Sequence, residues 1–171
     1  MKGYVQVYTG DGKGKTTAAF GLALRAAGAG LKVFIGQFLK GQHYSELDSI
    51  ARFSDVITLK QLGSDCLIRK HPEPEDVRAA RDGLETVKEV LASGEYSVVI
   101  LDEANVAVHY GLFPVEELLE LIDSKTEDVE LIITGRYAHN KILRKADLVT
   151  EMKNIKHYYD KGVMARRGIE R

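Results

Sequence analysis

The sequence predicts an α/β protein with a mainly parallel sheet and helices on both faces of that sheet. Three observations favour this class. Strand-like and helix-like segments alternate along the chain, amphipathic helical stripes separate the strands, and the apolar run at 98–101 is continuous, as in a strand buried on both faces. The 171 residues suit a single domain, residues 1–171, with a polar tail from about residue 156.

Short β-rich or apolar runs mark the predicted strands. The first alternates along Tyr-Val-Gln-Val-Tyr, and the later ones are mostly aliphatic, as expected inside a parallel sheet. Six strands are predicted in this way, at residues 4–8, 33–35, 56–59, 98–101, 131–133 and 148–150.

Apolar residues at spacings of three and four mark the predicted helices between these strands. The first helix, 16–28, places Phe20, Ala23, Leu24 and Ala27 on one stripe. A long helix begins at a proline suited to a first helical position and stops near a glycine. The predicted helices cover residues 16–28, 45–53, 74–94 and 140–145, with another opening at Pro114.

Composition excludes several classes of function. The net charge is -1, so nothing indicates a nucleic-acid binder. No stretch approaches the roughly 20 apolar residues of a membrane span, and we expect neither membrane insertion nor a signal peptide. Cys66 is the only cysteine, which precludes an intramolecular disulfide and fits the cytoplasm that we expect.

The strongest motif is Thr-Gly-Asp-Gly-Lys-Gly-Lys-Thr-Thr at residues 9–17, between a predicted strand and a predicted helix. Its glycine amides and the helix N-terminus form an anion site, as in the P-loop of nucleotide-binding proteins. The strict pattern has glycine where Thr9 stands, and a glycine-rich turn with incidental lysines is the alternative. The context favours a P-loop fold, with ATP held by Thr9, Gly10, Asp11, Gly12, Lys13, Gly14, Lys15, Thr16 and Thr17.

Two further motifs follow buried strands and should reach the same edge of the sheet. Asp102 and Glu103 end the fourth strand and, with the Thr16 hydroxyl, are suited to Mg²⁺. Arg136 follows the fifth strand and is suited to clamping phosphate. A solvated strand end and a surface arginine are the simpler alternatives.

The motifs taken together resemble the P-loop ATP:corrinoid adenosyltransferases. The resemblance covers residues 10–21, 37–41, 101–103, 134–136 and 146–152, and it continues through Lys156-His157 to Gly168-Ile169-Glu170. It implies transfer of the 5′-deoxyadenosyl group of ATP to the cobalt of a cob(I) corrinoid, with release of triphosphate. It also implies Mg²⁺, a homodimer, and a reduced flavin or flavoprotein as electron donor.

The resemblance also implies roles for particular residues. Displacement at carbon needs no protein nucleophile, so the catalytic work falls to phosphate-stabilising charges at Lys13, Lys15 and Arg136. By position in the resemblance, the corrinoid should lie near the irregular segment 63–74 and the loop after the second strand. The candidate corrinoid contacts are Lys40, His43, Ser64 and Cys66.

Two other functions compete with this interpretation. One is a P-loop phosphotransferase or NTP hydrolase acting at the γ-phosphate, and the other is a carrier that binds corrinoid or nucleotide without chemistry. The histidines lack the spacing of zinc ligands. Arg166 and Arg167 are interpreted as part of a solvated tail.

Overall fold

The computed structural model describes residues 1–41, 43–63 and 72–170. Strands and helices alternate along these residues as the sequence predicts. The strands are β1 (Val5–Thr9), β2 (Val33–Gln37), β3 (Ile57–Gln61), β4 (Val98–Asp102), β5 (Glu130–Thr134) and β6 (Leu148–Glu151). The helices are α1 (Lys15–Gly28), α2 (Ser45–Ile50), α3 (Pro74–Ser93), α4 (Ala104–His109), α5 (Val115–Ser124) and α6 (Asn140–Lys145).

The six strands form one sheet in the order β3-β2-β4-β5-β1-β6, and every neighbouring pair is parallel. Parallel pairing brings the carboxyl ends of all strands to one edge of the sheet. The chain leaves β1 and crosses to β2 before it returns through β4 and β5, which creates a crevice at that edge where ligands commonly bind. The loops that follow β1, β2, β4 and β5 all open onto this edge.

Alternate residues of the strands pack into two separate cores, one on each face of the sheet. In β4, Val98 and Ile100 pack with α1, whereas Val99 and Leu101 pack with α3, α4 and α5. All five residues of β4 are buried, as its continuous apolar run predicts. The predicted class, a parallel sheet with helices on both faces, is therefore confirmed.

The apolar stripe of α1 differs from the predicted one. Its buried face consists of Ala19, Phe20, Ala23 and Ala26, while Leu24 is 45% exposed. Two turns of small alanine side chains let α1 lie close to the sheet. A leucine one position beyond this narrow stripe therefore points out of the core.

The sequence analysis missed α4, because six residues are too few to show helical periodicity. The helix follows Glu103 immediately, and the buried side chains of Ala104 and Ala107 join the core between α3 and α5. The segment predicted as one helix at 45–53 divides into α2 and a 3₁₀ turn, Ala51–Phe53. In the part of the chain that the structure describes, no helix is long and apolar enough to cross a membrane.

Candidate active site

A cleft of about 780 Å³ opens at the carboxyl edge of the sheet. One wall is the glycine-rich loop with the start of α1, and a second is α2 with the loop before it. The acidic strand end of β4, the loop after β5 and the C-terminal tail complete the lining. Most of the residues predicted to act on phosphate or metal line this cleft: Asp11, Gly12, Lys13, Gly14, Lys15, Thr16, Thr17, Glu103 and Arg136. Thr9, Gly10 and Asp102, which were predicted with them, are not among the lining residues.

The glycine-rich loop is shaped by close backbone packing. Gly10 and Gly14 adopt positive φ angles of 94° and 119°, which glycine tolerates without strain. The Gly12 amide donates to the Met152 carbonyl at 2.6 Å, and the Met152 amide donates to the Thr9 carbonyl at 2.8 Å. A Cβ atom on Gly12 would stand only 2.7 Å from the Met152 oxygen. The backbone of the segment after β6 therefore packs directly against the glycine-rich loop.

The buried Lys15 side chain stabilises this loop by hydrogen bonds to its backbone. Its side chain is 7% exposed, and Nζ donates to the carbonyls of Gly10 at 2.6 Å and of Gly12 at 2.7 Å. Burial lowers the pKa of Lys15, although the nearby carboxylates of Glu103 and Asp11 oppose that shift. An ammonium group has three donors, so these two bonds leave one for a phosphate oxygen.

Asp102 accepts four hydrogen bonds at the end of β4. It is fully buried, and its Oδ1 accepts hydrogen bonds from the hydroxyls of Thr16 at 2.9 Å and Thr134 at 2.7 Å. Its Oδ2 accepts from Lys40 Nζ at 2.8 Å and, through a longer bond of 3.3 Å, from Gln37 Nε2. A carboxylate offers about four acceptor positions, so these bonds leave Asp102 none for a metal in this arrangement.

Glu103, unlike Asp102, is among the residues that line the cleft. It adopts a positive φ of 63° at the N-cap of α4, where its amide donates to Thr134 Oγ1 at 3.0 Å. Burial raises the pKa of Glu103, and the neighbouring Asp102 charge raises it further. The cations of Lys40, Lys15 and Arg136 act in the opposite direction. Because of this left-handed turn, the side chains of Asp102 and Glu103 point in different directions.

The donor set fits Mg²⁺ held jointly with a phosphate. Thr16 donates its only hydroxyl hydrogen to Asp102, which leaves the lone pairs of Oγ1 for a cation. Glu103 adds a carboxylate at the cleft. Within residues 1–41, 43–63 and 72–170, no group of three or more His, Cys, Asp or Glu could hold a metal ion by itself. Phosphate oxygens would therefore have to complete the coordination.

The C-terminal tail contacts the glycine-rich loop, although most of its residues, Arg166 and Arg167 among them, are exposed, as the sequence analysis interpreted them. Lys13 Nζ donates to the Ile169 carbonyl at 3.0 Å. Glu170 accepts from the Tyr158 hydroxyl, from the Arg166 backbone at 2.9 Å and from the Arg166 guanidinium at 3.1 and 3.3 Å. We call Tyr158, Arg166 and Glu170 the tail clasp. The clasp brings the tail to the cleft, which Gly168, Ile169 and Glu170 help to line.

The predicted corrinoid contacts are only partly brought together. Lys40 lines the cleft but is bonded to Asp102, whereas His43 is exposed, pairs with Asp48 at 3.1 Å and is not among the residues that line the cleft. Ser64 and Cys66 lie outside the described residues, as does most of the segment 63–74.

The sequence analysis assigned no role to Gln37, Thr134 or Met152. Each is the last residue of a buried strand or follows the end of a strand at the carboxyl edge of the sheet. Two of them are polar residues that close apolar strands, Gln37 in β2 and Thr134 in β5, and both are fully buried against Asp102. A polar residue that ends an otherwise apolar strand is the sequence signal that could have identified Gln37 and Thr134. Met152 carries no such signal.

A family model described as "ATP:corrinoid adenosyltransferase BtuR/CobO/CobP" matches residues 1–171. The chain belongs to this ATP:corrinoid adenosyltransferase family. It is similar to a corrinoid adenosyltransferase of Escherichia coli (strain K12), with 36% identity over 169 residues that cover 99% of this chain and 86% of the other. A corrinoid adenosyltransferase of Pseudomonas aeruginosa is 31% identical over 170 residues, covering 99% and 84%. Corrinoid adenosyltransferase CobA of Salmonella typhimurium is 35% identical over 169 residues, covering 99% and 86%.

Among solved structures, the chain is similar in fold to the RadB recombinase. The TM-score is 0.61 with 14% identity, and the match covers 91% of this chain and 77% of the other. This likeness concerns the fold alone, and it confirms the predicted P-loop NTPase-like architecture. The full-length family match confirms the predicted family and, with it, the predicted class of enzyme.

Gly12→Ala tests the packing of the loop on the segment after β6. The new Cβ would meet backbone atoms of Met152 and Lys153 at 2.7–2.8 Å, so the loop or its support must shift. We expect calorimetry to show about tenfold weaker MgATP binding, with stability reduced by roughly 1–3 kcal/mol. Gly28→Ala is the control, since its Cβ would meet nothing within 4 Å and helix propensity favours alanine by up to about 1 kcal/mol. Equal MgATP affinity in both variants would contradict the packing role.

Glu170→Gln tests the tail clasp. The Arg166 hydrogen bonds, followed by that of Tyr158, lower the pKa of Glu170 from 4.5 to about 2. A carboxylate with a lowered pKa contributes stability that is present above pH 4.5 and is lost as the pH falls towards 2. At pH 7 we expect faster amide hydrogen exchange at residues 158–170 in Glu170→Gln than in the wild type.

The same exchange measurement, repeated at lower pH, separates the clasp from a general loss of structure. The difference between wild type and Glu170→Gln should shrink between pH 4.5 and 2, because the wild-type carboxylate is then protonated. Glu95→Gln is the control, since it removes an exposed ion pair with Lys32 at the opposite edge of the sheet. A clasp difference that stays constant over this range would mean that the Glu170 charge is not what holds the tail.

Proposed function

We propose that this chain transfers the 5′-deoxyadenosyl group of ATP to the cobalt of a cob(I) corrinoid and releases triphosphate. The observation that carries the proposal is a full-length family match on a chain whose cleft combines the phosphate loop with Thr16, Glu103 and Arg136. Loop amides, Lys15 and Arg136 are the groups expected around a polyphosphate.

The reaction is a displacement at carbon. The cobalt of the cob(I) corrinoid supplies the electron pair for the new cobalt–carbon bond. The bond from C5′ to its oxygen breaks, and triphosphate leaves with the electron pair of that broken bond. No P–O bond breaks and no proton needs to move at the reacting carbon. The protein's task is therefore to align C5′ with the cobalt and to stabilise the departing negative charge.

The residues divide this task according to their position. Lys15 reaches the loop from inside and has one donor left for a phosphate oxygen. Arg136 faces the cleft from the loop after β5 and offers a planar pair of donors. Lys13 contributes charge at the tail side, where its Nζ is anchored to the Ile169 carbonyl.

Mg²⁺ is the cofactor that we assign to Thr16 and Glu103. When bound, it would neutralise phosphate charge and so favour triphosphate as a leaving group. We place Asp102 behind Thr16 as the group that orients the threonine hydroxyl, since hydrogen bonds already fill its own acceptor positions.

The remaining parts of the proposal are what the resemblance to this family leads us to expect. A reduced flavin or flavoprotein supplies the electrons that make cob(I), the protein acts as a homodimer, and it works in the cytoplasm. The corrinoid approaches from the side of the cleft formed by the loop after β2, near Lys40, with His43, Ser64 and Cys66 as further candidate contacts.

Lys15→Ala tests the phosphate site. The substitution removes both the braces to Gly10 and Gly12 and the charge nearest the loop amides. A charge-assisted hydrogen bond is worth about 1.5–3 kcal/mol, so calorimetry should show roughly 10- to 100-fold weaker MgATP binding. Lys32→Ala, which loses an exposed lysine paired with Glu95, should bind MgATP like the wild type. Unchanged affinity in Lys15→Ala would refute the assignment.

The products of the reaction test the function itself. With MgATP and chemically reduced corrinoid, phosphorus NMR should show triphosphate in equal amount to a new alkylcobalt absorbance, because the C5′–O bond breaks. A phosphotransferase or hydrolase would give ADP, and a carrier would give no product. Either of these outcomes, with correctly reduced corrinoid present, would rule out adenosyl transfer.

A further inference from the structure

Lys40 places a fixed positive charge beside the proposed metal position. Its Nζ lies 2.8 Å from Asp102 Oδ2 and 3.5 Å from Glu46 Oε1. The side chain is 14% exposed, and the ammonium also lies over the Tyr44 ring, 5.4 Å from its centroid. Such burial holds the ammonium in a defined place rather than leaving it on a mobile surface chain.

The acidic group at the end of β4 already has a cation in this arrangement. Asp102 is bonded directly to Lys40, and the attraction of Glu103 also favours the charged form of Lys40. Thr16, which would share a metal with Glu103, is bonded to the other oxygen of the same Asp102 carboxylate. Lys40 therefore neutralises the same carboxylates that would attract Mg²⁺.

A divalent ion that enters alone would meet this ammonium at short range. Like charges a few ångströms apart repel strongly in a partly buried site, where the effective dielectric is well below that of water. The described residues also lack three carboxylate or imidazole ligands in one group, so little protein coordination would offset the repulsion. A triphosphate changes both conditions, because it brings negative charge and oxygen ligands.

We propose that Lys40 is a placeholder cation that keeps the metal position closed until ATP brings Mg²⁺ with it. This inference rests on the proposed metal site at Thr16 and Glu103. It adds a residue that couples metal entry to nucleotide entry, a role different from the corrinoid contact predicted from the sequence.

The structure also provides a place for Lys40 when the metal enters. Glu46, in the first turn of α2, already lies 3.5 Å from Nζ, and Tyr44 offers its ring face next to it. A change of side-chain torsion would move the ammonium from Asp102 to this second carboxylate. The backbone need not move, and Oδ2 of Asp102 would lose only one of its two bonds.

Lys40→Met tests the placeholder with Mn²⁺ as a spectroscopic substitute for Mg²⁺. Electron paramagnetic resonance measures free Mn²⁺ independently of catalysis. With ATP present, binding to the protein is taken as the further change relative to the same Mn²⁺ and ATP without protein, because ATP itself binds Mn²⁺. The wild type should bind Mn²⁺ tightly only with ATP. Lys40→Met should bind Mn²⁺ without ATP at least about tenfold more tightly than the wild type, because a neighbouring positive charge is gone.

Four further variants define the source of the effect. Lys40→Arg keeps the charge and should behave like the wild type, and Lys40→Gln should repeat the gain if methionine disturbs the fold. Lys13→Met removes an equal charge that contacts the Ile169 carbonyl and forms no ion pair with a carboxylate of the described residues. Its Mn²⁺ affinity without ATP should therefore change by less than about threefold. Adding Glu103→Gln to Lys40→Met should abolish the gain if the ion binds at this site.

The outcomes separate this inference from the proposal beneath it. If ATP-dependent Mn²⁺ binding is present in the wild type but Lys40→Met and Lys40→Gln show no gain without ATP, the placeholder role is wrong and the metal site stands. A gain of the same size in Lys13→Met would also overturn it, since any lost charge would then suffice. If the wild type binds no Mn²⁺ even with ATP, the metal site and the placeholder both fail.

Discussion

The buried Asp102 carboxylate is the group on which the geometry of the site depends. Its four hydrogen bonds join the end of β4 to α1 through Thr16, to β5 through Thr134, and to β2 and the following loop through Gln37 and Lys40. A charge without exposure to water requires such partners, and removal of one partner of a buried pair costs about 3–5 kcal/mol. Because burial of this charge requires its hydrogen bonds, Asp102 holds α1, β5, β2 and the loop after β2 together at one edge of the sheet.

Because hydrogen bonds fill the acceptor positions of Asp102, the two consecutive carboxylates have different roles. Glu103 is the carboxylate of this pair that lines the cleft, and the left-handed turn at φ 63° gives it a different direction from its neighbour. Thr134 stabilises this turn by accepting the Glu103 amide while donating to Asp102. The strain of a non-glycine residue at positive φ is tolerated because this network over-determines the backbone there.

The sequence revealed the parts of this site that are local and left out those that depend on long-range packing. Strand alternation predicted the parallel sheet, and the glycine spacing predicted the loop before α1, because both are properties of adjacent residues. Pairing of Lys40 with Asp102, by contrast, joins residues 62 positions apart, and the bond from Lys13 to Ile169 joins residues 156 apart. Composition and periodicity hold no information about such partners, so the sequence predicted neither the pairing of Lys40 with Asp102 nor the contact between the loop and the tail.

Charge balance explains why a site for adenosyl transfer would restrain its own cations. Triphosphate leaves intact and carries several negative charges, so its stabilisation requires Lys15, Arg136 and a divalent ion together. Before ATP arrives, unpaired charges in a partly buried cleft would be costly, and three lysines of the cleft have different partners. Lys15 is bonded to loop carbonyls, Lys13 to a tail carbonyl and Lys40 to Asp102. ATP can displace the partners of these lysines at a small cost in free energy. The carbonyl partners of Lys15 and Lys13 are neutral, and Glu46 already lies beside Lys40 as an alternative partner. The folded chain can therefore hold these cations in place without a bound anion.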